Sequence, residues 1–260
     1  RADHLGAWGA ERDTSPFLDR VASQGMRFSR AFVNTHGTPP SHTTMLSSLY
    51  QETHRVGVAA DPAKPPSLVV PDGVEMVQEI LSRHGWATVA VTGGGYAGAE
   101  YGFARGFEMY SDSPRDVETG CRTLVDSLER VLPSGRPVFA FLHTYEVHSP
   151  YRSPPQYDGL FGDDECSVPT TSEALLELQG RAGTAIERGD LDCISRHYDR
   201  GIRYTDDTLR GLADELSSMG FLDHAVVIVT ADHGEEFGEH GGVLHGGTLF
   251  EELIHVPLII

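Results

Sequence analysis

The sequence predicts an α/β domain whose mostly parallel central sheet is flanked by helices on both faces. Helical patterns alternate with short apolar strand patterns, as crossover helices between parallel strands require. "DGVEMVQEILSRHG" (72–85) runs into "WATVAVT", "VETGCRTLVDSLERVL" (117–132) into "PVFAFLH", and a long helical pattern ending at Gly220 leads on to "HAVVIVT". These strand runs are β-branched and apolar, the pattern of strands buried in a parallel sheet.

The elements run in order. "SPFLDRVASQG" (15–25) predicts the first helix, with Ser15 as cap, Pro16 in the first turn and Gly25 as stop. "MRFSRAFV" (26–33) alternates as a strand does. Asp72 is the expected cap of the next helix and Gly85 its stop. Cys121, Leu124, Leu128 and Val131 share one face of the third helix, and Tyr198, Ile202, Leu209, Leu212, Leu216 and Met219 one face of the long one. "TLFEELI" and "VPLII" give a last helix and strand. Residues 59–73 and 149–173, rich in Pro, Gly and Asp, read as loops over one end of the sheet. No internal repeat interrupts this order, so residues 1–260 read as one domain. Both ends look like internal sequence, and the expectation is a domain truncated at both ends.

Composition narrows the function classes. Of 260 residues, 39% are hydrophobic and 22% charged, ordinary for a globular protein. A formal charge of −18 argues against a nucleic-acid backbone or an anionic membrane surface as main partner. A bound cation can still turn a pocket positive, so an anionic substrate stays open. No apolar run reaches the roughly 18 residues of a membrane span. Cys121, Cys166 and Cys193 are far apart and odd in number, which reads as three ordinary thiols.

In such sheets ligands bind beyond the carboxyl ends of the strands. Three apolar runs each lead directly into a polar cluster. "VFAFLH" precedes His143, Glu146 and His148; "AVVIVT" precedes Asp232, His233, Glu235, Glu236, Glu239, His240 and His245; "RFSRAFV" precedes "THGTPPSHTTM" (35–45). Adjacent Asp232 and His233 either share one hard or borderline cation or serve as a turn cap and a surface residue. His143 and His148 either bind an oxyanion and protonate a leaving group or belong to a polar loop. The glycines at 93–95 read as a flexible turn, since no P-loop lysine comes after them. Glu235, Glu236 and Glu239 read as a solvated acidic turn. Among the hydroxyls of 35–45, Thr38 is the nucleophile candidate, with a turn residue as the other reading. Pro39 and Pro40 fix the backbone after it, and a helix beginning near Ser41 points its amides toward the site. Ser41, Thr43 and Thr44 are expected as caps or helix residues.

"TPPSH" (38–42) resembles the Cys/Ser-x-Pro-Ser-Arg signature of sulfatases. The opening "RADHLGAWG", the block "YDRGIRYTDDTLRGLADELSSMGFLDHAVVIVTADHGEEFGEHG" and "LHGGTLFEELIHVPLII" resemble that family in order, nearly end to end. The resemblance implies the alkaline-phosphatase-like fold and a hydrolase of sulfate or phosphate-type esters. It places Asp232 and His233 at metal-ligand positions and His148 at the histidine that assists the leaving group. His245 falls near the substrate-binding lysine and matches a histidine of the phosphoethanolamine transferases. Thr38 stands where sulfatases have the cysteine that becomes formylglycine, which threonine cannot do; phosphodiesterases and phosphoethanolamine transferases of the superfamily use an unmodified threonine there. His42 replaces the signature arginine, a departure that fits such a nucleophile. The first metal-binding aspartate of the family is expected three residues before Arg1.

The resemblance also implies a mechanism. One divalent ion, calcium or else zinc or manganese, is held by Asp232, His233 and the aspartate expected before Arg1, and binds the Thr38 oxygen. Thr38 attacks sulfur or phosphorus, His245 stabilises the equatorial oxygens, and His148 protonates the departing alcohol. Few lysines lie near these motifs, which favours a singly charged ester. The hydroxyl nucleophile favours a phosphodiester or phosphonate, the family a sulfate. The expected partner is a small-molecule, glycan or lipid ester. A transferase of phospho-head-groups and a non-catalytic binding domain are the alternatives. The resemblance favours a periplasmic or extracellular location.

Overall fold

The computed structural model describes residues 1–60, 63–114, 116–162, 166–168, 170–180 and 186–260. In chain order the elements are α1 (Pro16–Gln24), β1 (Ala31–Phe32), α2 (Thr38–Ser47), α3 (Gln51–His54), α4 (Val77–Arg83), β2 (Ala87–Val91), β3 (Met109–Ser111), α5 (Val117–Val131) and β4 (Val138–Leu142). Then come α6 (Ser172–Gly180), α7 (Arg188–Ser218), β5 (Val229–Thr230), β6 (Glu236–Phe237), β7 (Val243–Leu244), α8 (Glu251–Ile254), β8 (His255–Val256) and β9 (Leu258–Ile259). The chain forms two compact units. One comprises Arg1–His36 and Glu146–Ile260, the other Gly37–Tyr145.

The second unit holds the predicted parallel sheet, in the order β3-β2-β4. Every residue of β2 is buried, including Thr88, whose hydroxyl donates to the Gly106 carbonyl at 2.8 Å, and α4 and α5 pack against the strand. Val89 lies opposite Met109 on one side and Ala140 on the other. The amphipathic reading of α5 holds: Cys121, Leu124, Leu128 and Val131 are all buried, and Asp116 caps its N-terminus by accepting the Thr119 N–H at 2.8 Å. Helix α4 starts at Val77, five residues after the expected Asp72. Its first turn is closed instead by Glu79, whose carboxylate accepts the Met76 N–H at 3.0 Å, while Asp72 pairs with Arg105. Met109–Ser111 escaped prediction because three residues carry too little periodicity.

The first unit is built around α7. Tyr198, Ile202, Leu212 and Leu216 are buried on its predicted face. Tyr198 and Ile202 form a core with Tyr151, Leu175, Ile194 and Phe237. Helix α1 has the predicted bounds, but its cap differs. Ser15 makes no cap bond; Asp206 of α7 accepts the N–H groups of Phe17 and Leu18, both at 2.8 Å. The strands here form three antiparallel pairs, β1-β8, β5-β9 and β6-β7. Of the run 26–33 only Ala31–Phe32 is a strand, and of 224–230 only Val229–Thr230, because a strand extends only as far as its partner's hydrogen bonds and β9 meets just those two residues. Cys166 and Cys193 form a disulfide, correcting the reading of three free thiols; Cys121 alone is free and buried. Spacing along the chain gave no signal for a bridge across 27 residues.

Burial pushes the Asp206 carboxyl up to about 6 from 3.8, against the two backbone N–H groups that favour its ionised form. The folded chain therefore binds this proton more tightly than the unfolded chain. Stability from Asp206 is full below its unfolded pKa of 3.8 and declines as pH rises to about 6. Thermal melts across this window should show that decline, and Asp206→Asn, which cannot titrate, should lose it. A decline unchanged in Asp206→Asn would contradict this assignment. Asp206→Ala, which removes both cap bonds, should cost about 2 kcal/mol.

Candidate active site

In the second unit, Thr38 occupies the first turn of α2, after Gly37 in extended backbone. The helix thus begins at Thr38 itself and not near Ser41, because Pro39 and Pro40 have the φ of a first turn and need no N–H partner there. The positive end of the helix dipole consequently falls at Thr38, where it favours developing negative charge. Neighbouring hydroxyls are spent on the helix. Thr43 donates to the Pro39 carbonyl at 2.7 Å, Ser47 donates to the Thr43 carbonyl at 2.6 Å, and Thr44 meets His54 Nε2 at 3.1 Å. The Thr38 hydroxyl forms no hydrogen bond among the described residues, and the residue is 5% exposed.

His42 lies one turn on and donates from Nδ1 to the Thr38 carbonyl at 2.9 Å. Its ring meets that of His143 edge-on at 4.9 Å, and His143 in turn meets Tyr145 at 4.6 Å. Thr38, His42 and His143 all belong to this unit. The glycines after β2 are explained by close packing: a Cβ on Gly93 would sit 2.9 Å from the Tyr145 ring, and one on Gly94 2.6 Å from the Asp112 carbonyl oxygen.

In the first unit, β5 delivers Asp232 and His233. His233 donates from Nδ1 to the Gly234 carbonyl at 2.9 Å, and its Nε2 lies 3.5 Å from Asp232 Oδ2. A carboxylate oxygen and an imidazole nitrogen at this spacing, with the other ring nitrogen fixed by a backbone carbonyl, suit a borderline divalent cation. Burial of His233 lowers its pKa and favours the neutral form that ligates metals. Gly234 permits the arrangement: its N–H donates to the Leu253 carbonyl at 2.7 Å, and a Cβ there would lie 1.9 Å from the Glu252 carbonyl oxygen.

His245 stands over this pair, its ring 4.2 Å from that of His233 and 5.1 Å from that of His148. His148 donates from Nδ1 to the Ser149 carbonyl at 2.7 Å. Thus His148, more than 80 residues earlier in the chain, joins Asp232, His233 and His245 in one unit. Nearby, His36 Nε2 accepts the Gly247 N–H at 3.3 Å, a contribution the sequence did not single out.

The acidic turn is solvated only at Glu239, and not at Glu235 and Glu236 as its sequence suggests. Glu235 and Glu236 are only 4% and 7% exposed, and Glu239 pairs with the Arg1 guanidinium. Glu235 Oε1 is 2.8 Å from His245 Nδ1, and Oε2 accepts the Tyr151 hydroxyl at 2.9 Å. Burial alone would raise the Glu235 pKa, but the bonds from His245 and Tyr151 hold it below the usual carboxylate range. Burial likewise opposes charge on His245, yet Glu235 and Asp232 outweigh it and the imidazole pKa is raised. His245 therefore stabilises the fold while protonated, fully below its unfolded pKa, and that contribution is lost as pH rises through its folded pKa. In Glu235→Gln, NMR titration should find the His245 pKa lower than in the parent. An unchanged value would remove Glu235 as the cause.

A family model described as Sulfatase matches residues 1–260. The chain belongs to the sulfatase family. Delta 4,5-hexuronate-2-O-sulfatase of Bacteroides thetaiotaomicron is 22% identical over 296 residues, which cover 100% of this chain and 60% of that protein. Arylsulfatase of Hemicentrotus pulcherrimus is 22% identical over 280 residues, 95% of this chain and 49% of that protein. Among solved structures, phosphonate monoester hydrolase of Agrobacterium radiobacter superposes with a TM-score of 0.73 at 20% identity, over 100% of this chain and 65% of that one. The chain thus spans about half to two thirds of the length of these relatives. Its α/β fold, with helices around a parallel sheet, is the sulfatase and alkaline-phosphatase-like fold.

Proposed function

We propose that the protein hydrolyses sulfate or phosphate-type esters in a metal-dependent reaction with Thr38 as nucleophile. The observation that carries this reading is the Thr38 hydroxyl at the positive end of α2, unbonded among the described residues while Thr43, Thr44 and Ser47 are engaged. Family membership supports the hydrolase class; the residue roles accord with the family's motifs. Asp232 and His233 hold the divalent ion, which when bound supplies Lewis-acid stabilisation of charge on the ester oxygens. Thr38 Oγ1 gives up its proton to water and forms the bond to sulfur or phosphorus, as the bond from that atom to the ester's alcohol breaks and the alcohol departs with a proton from His148. His245, whose positive form Glu235 favours, binds the equatorial oxygens, and water then frees Thr38. His42 and His143 position and polarise around the nucleophile's helix.

The ester class is a singly charged one. A threonine ester of sulfate lacks the hemiacetal route of release open to formylglycine, so a phosphodiester or phosphonate ester is the favoured substrate, in line with the fold shared with phosphonate monoester hydrolase. The test is an assay of the metal-stripped protein against aryl sulfate, aryl phosphate, bis-aryl phosphodiester and aryl phosphonate, with calcium, zinc and manganese added in turn. Turnover of the phosphodiester or phosphonate on addition of one metal is expected. Turnover that persists without metal, or only of the dianionic monoester, would overturn the reading. No helix among the described residues is long and apolar enough to cross a membrane.

A further inference from the structure

Apart from the Asp232–His233 pair, three more metal-ligating side chains meet in the first unit. Glu236 lies on β6, His240 in the turn to β7, and Glu252 in α8, with ligand atoms all within 4.8 Å of one another. His240 Nδ1 is 2.5 Å from Glu252 Oε1, and Phe250 stacks flat on the imidazole at 3.5 Å, fixing the ring. Glu236 Oε1 accepts the N–H groups of His240 at 3.0 Å and Gly242 at 2.8 Å, so the turn's own backbone orients this carboxylate.

The electrostatics point to a missing positive charge. Glu236 is 7% exposed and the Glu252 side chain also 7%. Among the described residues no Lys or Arg pairs with either. Two close, desolvated carboxylates repel, and one imidazole can offset a single charge at most. A divalent cation offsets both. The His240 side chain is partly exposed, which leaves a route for the ion and room for water as a further ligand. Two carboxylates and one imidazole suit zinc or manganese; calcium takes about six to eight oxygens, more than this set offers.

We propose that Glu236, His240 and Glu252 form a second cation site for a zinc- or manganese-class ion. The ion staples the β6–β7 turn to α8. That helix is bonded to the segment after His233, since Glu235 N–H donates to the Glu252 carbonyl at 3.1 Å and Gly234 N–H to that of Leu253. The second ion is thus structural, and the site stands whether or not Thr38 is a nucleophile.

The test uses untagged protein carrying Asp232→Ala and His233→Ala, so that the first candidate site is removed. Native mass spectrometry and equilibrium dialysis with zinc should find one bound ion per chain, and zinc should raise the melting temperature. Adding Glu252→Gln, or separately His240→Ala at its partly exposed position, should weaken zinc binding at least about tenfold and abolish the thermal shift. Circular dichroism checks that each variant is folded. A folded double variant that binds neither zinc nor manganese overturns the proposal. So does zinc binding that survives both added substitutions.

Discussion

Thr38→Ala is expected to remove turnover of the favoured ester, by roughly a thousandfold or more. The variant should fold normally. Thr38 donates no side-chain hydrogen bond to the described residues, and alanine is tolerated in the first turn of a helix. Thr38→Ser keeps the hydroxyl and the helix start, and should retain measurable activity. The pair separates chemistry from structure: a loss shared by both variants would point to packing of the threonine methyl, and a loss confined to alanine to the hydroxyl. Activity surviving in Thr38→Ala at the parent rate would exclude Thr38 as nucleophile. Silence in the parent as well, across all metals and esters, would favour the non-catalytic or transferase alternatives.

Gly234→Ala should be the most damaging single change to the loop that carries Asp232 and His233. An added methyl group would fall 1.9 Å from the Glu252 carbonyl oxygen and 2.9 Å from its carbon, both backbone atoms of α8 that cannot rotate away. Relief requires α8 or the 233–235 segment to move, which breaks the Gly234 and Glu235 bonds to Leu253 and Glu252. The expected cost is about 3 kcal/mol, with loss of the His233–His245 ring contact. Chemical denaturation gives the stability change, and histidine NMR reports the ring environment. A variant as stable as the parent would mean that α8 yields more easily than its hydrogen bonds suggest.

Elements of this fold differ in how far the sequence announces them, for physical reasons. β2 and α5 were legible because burial on both faces and a 3.6-residue stripe leave strong local signatures. Asp232, His233 and His148 stood out because each lies shortly after an apolar run, and His245 because it lies in the same polar segment as Asp232; the fold places all four in one unit. The cap of α1 was not, since Asp206 reaches Phe17 and Leu18 from nearly 190 residues away in sequence. Glu235 illustrates the same limit. In sequence it is one acid among several beside glycines; only the fold buries it against Tyr151 and His245 and turns a solvated residue into one that sets the charge of another. Cys166 and Cys193 likewise carry no local sign of their bridge.

The most direct test of the central claim is to look for the covalent intermediate. The metal-loaded protein is quenched in acid during turnover of the best phosphodiester or phosphonate substrate, digested, and the peptide containing residues 38–42 examined by mass spectrometry. The account predicts that this peptide carries the mass of the transferred acid group on Thr38, and that the adduct is absent from Thr38→Ala. Full turnover with no adduct on that peptide, or an adduct on another side chain, would contradict it.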